Sequence, residues 1–229
     1  MADKKEKEVN VESKEIKNEA KNTFDDVKDT IKNVKFQDDA KATTGFVSQI
    51  FKDPLQILKK TASDKKNSNL KHALILVFLW IIAILIVSIG DVAKTRFLPA
   101  GTRFMNVFKD LLEPIIGLIA MSSVIYFNQN GAKKSLTTIF TTVTVASIPT
   151  ILLSVIRILR LFSTSFGYIL TPLSLFTSAI TLIFIYFATK DIVGEEENSV
   201  FIKKFMVIEF AYFVCYFIFQ FVDIYLPLL

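Results

Sequence analysis

Five long apolar stretches fill the last two-thirds of this chain, and its first seventy residues contain none. A helix crossing the hydrocarbon layer of about 30 Å needs about 20 mostly apolar residues. Stretches at about 70–89, 111–127, 136–161, 168–189 and 205–229 meet that requirement or approach it. Inside lipid every backbone N–H and C=O must be paired within its own segment, so the stretches are expected to be helices. The predicted fold is all-α: a polytopic membrane bundle of five spans behind an amphipathic helical N-terminal arm. The first and fourth stretches are the most apolar, since Ala73 to Val87 and Tyr168 to Thr189 carry no charge. The second opens on Glu113 and Pro114. The third holds Pro149 inside and Arg157 and Arg160 near its end, and the fifth carries Glu209 and Asp223 toward its two ends.

The charges are segregated to match. Hydrophobic residues make up 52% of the chain and charged residues 21%, with a mean hydropathy of +0.44. Most of the 27 basic and 22 acidic residues precede Lys71, so the net +5 belongs to the arm and loops. A Lys-rich arm beside a bilayer reads as lipid-facing, and it contains no nucleic-acid-binding motif. The expected partner is the lipid bilayer, with no nucleic acid. Orientation follows from Lys and Arg near the span ends. Lys52, Lys59, Lys60, Lys65, Lys66, Lys71, Lys133, Lys134, Lys190, Lys203 and Lys204 fall on one side. Only Lys94, Arg96, Arg103, Lys109, Arg157 and Arg160 fall on the other. The bias predicts a multi-pass cell-membrane protein with a cytoplasmic N-terminus and Leu229 outside.

Residues 1–15 are polar, with no apolar core of the kind a secretory signal needs. The first span is therefore expected to act as the insertion signal. The single Cys, Cys215, lies in the fifth stretch, which rules out a disulfide within the chain and a thiolate–metal cluster. The single His, His72, stands at the start of the first stretch, where an interfacial role is the simplest reading. No cofactor is expected.

Within the arm, Ile16, Ala20, Phe24, Val27, Ile31 and Val34 recur at helical spacing, flanked by mixed charge. Such a thin stripe needs a partner surface to be stable. Residues 1–45 are therefore read as a polar cytoplasmic arm, partly disordered or helical, that offers a surface for a protein partner. Residues 46–69 read as an interfacial amphipathic segment and link. There Phe46, Ile50, Phe51 and Leu55 are the candidate membrane-surface contacts. Asp53 before Pro54 is an N-cap followed by proline at the first helical position. Residues 70–229 form the five-helix transmembrane domain.

This order of segments, with Lys52-Asp53-Pro54-Leu55 ahead of clustered spans, resembles the bacterial branch of the Yip1 family of membrane proteins. The local matches are Gly131-Ala132-Lys133-Lys134-Ser135 and Ala146-Ser147-Ile148-Pro149. The resemblance covers roughly residues 50–229 and implies a five-span integral membrane protein with a Yip1 domain. Eukaryotic members are associated with Rab GTPases and vesicle traffic, but no residue here matches a partner-binding motif.

Pro149 is the candidate helix kink, with Ser147 or Thr150 placed to re-pair the freed backbone group. Thr137, Thr138, Thr141, Thr142 and Thr144 suit close helix–helix packing. A charge deep in lipid is costly and turns toward a partner or water. Glu113 and Arg157 share the outer side in the expected topology and form the candidate intramembrane ion pair. No phosphate loop, nucleophile motif or metal-spaced cluster is present, so no enzyme is expected. The leading expectation is a non-enzymatic membrane organiser or adaptor whose arm engages lipid or a protein; a homo-oligomer is open to it. The alternative is a small-solute transporter or channel subunit. A carrier requires a wet, polar midplane cavity, whereas a scaffold requires a dry centre packed by Thr and Ser.

Overall fold

The computed structural model describes residues 2–64, 66–94, 99–129, 133–163, 165–194 and 197–225. Gly131, Ala132, Lys65, Arg96 and Leu229 are not among them, so the glycine end of the basic turn and the last residue of the sequence lie outside the described residues. Every regular element described is helical.

The arm is three helices: α1 (Ala2–Lys32), α2 (Phe36–Lys52) and α3 (Pro54–Ala62). The apolar stripe that runs along α1 to Val34 is split, with Phe24 66% and Ile31 59% exposed while Val27 and Val34 are half-buried. The end of the bundle that α1 meets is itself polar and takes the polar face of the helix. The Thr137 hydroxyl donates to Asp26 at 3.1 Å and lies 3.2 Å from the Thr23 hydroxyl, and the Asn67 amide donates to Asp26 at 3.4 Å.

The four expected contacts of the interfacial segment divide in two. Phe46 and Ile50 are buried against Leu76, Val145 and Ile148 of the bundle, whereas Phe51 and Leu55 are about half exposed. The Phe46 ring stacks on His72 at 4.7 Å. The Thr43 hydroxyl donates to the Asp39 carbonyl at 2.7 Å and lies 2.9 Å from His72 Nδ1. Its single proton being used, Nδ1 is the donor in that contact. Lys71 donates to the Asp39 carboxylate at 2.9 Å. Asp53 caps α3 by accepting the Gln56 N–H at 3.1 Å, with Pro54 first in the helix.

Two carboxyls at this end acidify. The Lys71 ammonium, with the Lys35 N–H, holds Asp39 below the usual carboxylate range. Burial pushes Asp64 up, but the Ser68 hydroxyl and the amides of Lys66 and Asn69 outweigh it and hold Asp64 low. Both folded values lie below the unfolded one, so the stabilisation is complete above about pH 4 and is lost as pH falls through the folded values. Proteolysis with an acid-active protease will therefore show the arm loosening as pH drops below about 4. Asp39→Asn will loosen it already at neutral pH and flatten that dependence; an unchanged profile would contradict the contact.

The bundle comprises α4 (Leu70–Lys94), α5 (Ala100–Phe127), α6 (Leu136–Ala146), α7 (Ile148–Arg157), a 3-10 turn (Ile158–Leu161), α8 (Phe166–Val193) and α9 (Asn198–Tyr225). Three described helices, α4, α5 and α8, are long and apolar enough to cross a membrane. The pair α6 and α7 with its 3-10 turn makes a fourth if it counts as one span, bent by 51°. Two helices begin earlier than hydropathy suggests: α5 at Ala100 rather than 111, and α9 at Asn198 rather than 205. Hydropathy finds the stretch that matches hydrocarbon, but Lys, Arg and Met propagate a helix well beyond it. Glu113 and Glu209 consequently sit well inside their helices rather than near the ends.

The break in the third stretch falls at Ser147, with Pro149 in the first turn of α7. The Ser147 hydroxyl donates to the Val143 carbonyl at 2.9 Å. Thr150 instead pairs its hydroxyl with that of Thr181 on α8, at 2.9 Å. The Thr-rich face of α6 is buried throughout, and Thr141 and Thr142 donate back to their own helix. Lys134 reaches across to the Asp191 carbonyl, so the link before α6 and the end of α8 share one end of the bundle with the arm.

Candidate functional site

At the other end the helices diverge around a cavity of about 700 Å³. Side chains three and four residues apart share one face of a helix, so each wall follows from sequence spacing. On α4 the polar and aromatic lining residues are Trp80, Ser88 and Asp91, beside Ile84 and Val87, and on α5 the lining includes Asp110, Glu113 and Gly117, beside Leu118 and Met121. Ser147, Thr150, Ser154 and Arg157 line it from the broken segment, with Arg160 from the 3-10 turn. Ser178, Thr181 and Ile185 of α8 and Tyr212 and Tyr216 of α9 line the remaining sides, with Val143 of α6.

The walls are tied together by polar contacts. The Trp80 indole N–H donates to Ser154 at 2.9 Å, joining α4 to α7. The Ser88 hydroxyl donates to Asp110 at 2.6 Å, joining α4 to α5. The Tyr216 hydroxyl donates to Glu113, and Arg160 pairs with Asp91. Two glycines permit the close approaches. A Cβ at Gly90 would lie 2.4 Å from a Leu161 methyl, and one at Gly117 would lie 3.3 Å from the Tyr212 hydroxyl.

This geometry revises the expected ion pair. Glu113 and Arg157 line the same cavity, yet the ion pair joining the bundle there is Arg160 with Asp91. Because α5 starts at Ala100, Glu113 stands mid-helix beside α9, where a tyrosine hydroxyl reaches it first. Glu209 lies on α9 with one carboxylate oxygen buried and without a hydrogen-bond partner among the described residues. Asp91, Asp110, Trp80 and the two tyrosines did not stand out in the sequence. The signal that could have found them is the 3–4 spacing of polar groups, as in Ser147, Thr150, Ser154 and Arg157.

Chemically, the site is a roomy pocket with acidic and basic walls and aromatic faces. Pockets of this size and mixed lining hold small molecules. Among the described residues no group of three His, Cys, Asp or Glu is placed to hold a metal ion. No family model, no curated protein and no solved structure matches the chain.

Proposed function

We propose that the chain is a non-enzymatic, five-span membrane protein whose bundle binds a small polar solute in this cavity, as a carrier or channel subunit would. The observation that carries the reading is the cavity itself. Charged side chains from four segments converge on one open space instead of turning outward, the arrangement expected where intramembrane charge meets water or a ligand. The dry Thr/Ser-packed centre that a scaffold requires is confined to the arm end of the bundle.

The count of five takes the broken pair as one crossing and adds α9. Its exposed face is Met206, Val207, Phe210, Phe213, Phe217 and Ile218, a surface suited to lipid. Orientation rests on the Lys and Arg bias, which puts the arm in the cytoplasm and the cavity mouth outside. The Yip1 resemblance enters only through Asp53-Pro54 and Ser147-Ile148-Pro149, whose residues here cap one helix and start another.

An organiser or adaptor role is the second reading, favoured by the exposed part of the α1 stripe, with Ile16, Phe24 and Ile31 open to a protein partner. The two readings part on the hydration of the cavity. Ser178→Cys in a Cys215→Ser background will react with a charged, membrane-impermeant thiol reagent applied outside intact cells. Absence of reaction, with a Cys at exposed Phe162 reacting normally, would overturn the solute-site reading.

A further inference from the structure

The charges lining the cavity are unequally matched, and the mismatch bears on what it holds; this inference rests on the solute-site reading. Asp91 is already neutralised by Arg160, with Lys94 at 4.0 Å. Asp110 and Glu113 accept from hydroxyls, those of Ser88 and Tyr216, and a hydroxyl steadies a carboxylate without cancelling its charge. Arg157 forms no ion pair with a described carboxylate. The lining thus retains two carboxylates on α5 and one guanidinium on α7. Asp110 and Glu113 are three residues apart, on adjacent turns of one face. The helix α5 packs on α4, α6 and α9, and α7 packs on α4 and α8, which leaves the cavity between the acidic and basic walls.

We infer that the cavity binds a small amphoteric molecule with two cationic groups and one anionic group, the charge pattern of a basic amino acid such as lysine. The two cationic groups answer Asp110 and Glu113, and the carboxylate answers Arg157. A ligand of net charge +1 balances the surplus negative charge of the lining. The surplus negative charge of the lining draws cations and disfavours neutral and anionic solutes. Tyr212 and Trp80 offer aromatic surface to the aliphatic stem and to a cation above a ring.

The test is thermal unfolding of the full chain in mild detergent with L-lysine, L-alanine, L-glutamate or cadaverine. A ligand that binds only the folded state raises the melting temperature in proportion to its saturation. The expected result is saturable stabilisation by lysine and, more weakly, by cadaverine, which lacks the carboxylate, with alanine and glutamate inert. Glu113→Gln and Asp110→Asn will each weaken lysine binding by about tenfold or more. Arg157→Gln will abolish the preference for lysine over cadaverine while leaving cadaverine binding intact, which shows that this variant is folded. Equal stabilisation by lysine and cadaverine in the unsubstituted protein, or stabilisation by alanine, would overturn the inference. So would no response to any of the four. Reaction of Ser178→Cys with the impermeant reagent would then still support a solute site of another class.

Discussion

Ile50→Asp will release the α2–α3 hairpin from the bundle. The side chain is fully buried, with 0% exposure, among Leu76, Val145 and Ile148. Truncating such a residue costs about 2–5 kcal/mol, and a carboxylate adds the penalty of an unpaired buried charge. The hairpin has few other apolar anchors; Phe46, Leu58 and Ala62 are the main ones. The neighbouring Phe51 is 52% exposed, so Phe51→Asp changes stability by no more than about 0.5 kcal/mol. Limited proteolysis between Lys52 and Lys60 separates the two: rapid cleavage in the Ile50 variant and near-normal resistance in the Phe51 variant. Equal behaviour would mean that α2 does not dock as described.

Phe201→Ala will weaken the attachment of α9 to α8. Phe201 is fully buried, and its ring centroid lies 5.1 Å from Tyr186, edge to face. Phe205 packs on the same tyrosine, also at 5.1 Å. Rings packed edge to face interact beyond the area they bury, so a lost ring is felt as lost contact. The expected destabilisation is about 3–5 kcal/mol, seen as a lower melting temperature in detergent. Phe210→Ala is the control: that ring is 68% exposed, and its removal will leave melting nearly unchanged.

These two sites show what the sequence makes legible and what it hides. The apolar run of α4 and the Asp53-Pro54 start of α3 are local signals, carried by composition and by a cap, and could be read directly. The position of a break near Pro149 is legible for the same reason; a 51° bend between two separate helices is not, because the proline marks the break but the packing of α7 on α4 and α8 sets the direction beyond it. Hydropathy averages over a window, so it placed the start of the second span at 111 and divided Asp110 from Glu113. That boundary concealed an acidic face. The stripe on α1 was visible, but the direction it faces depends on the polarity of the surface opposite, set by Thr137 and Asn67 far along the chain. The sequence marks Glu113 as an intramembrane charge in need of a partner, but not that a tyrosine hydroxyl of α9 would supply it.

Trp80 is the only tryptophan in the chain, and it lines the cavity. Its fluorescence in the unsubstituted protein, reconstituted in lipid, therefore reports directly on whether that space is wet. The account predicts strong quenching by acrylamide, a small water-soluble quencher, and weak quenching by lipids brominated along their tails. Quenching by the brominated tails with none by acrylamide would place Trp80 against lipid and contradict the hydrated cavity on which the proposed function stands.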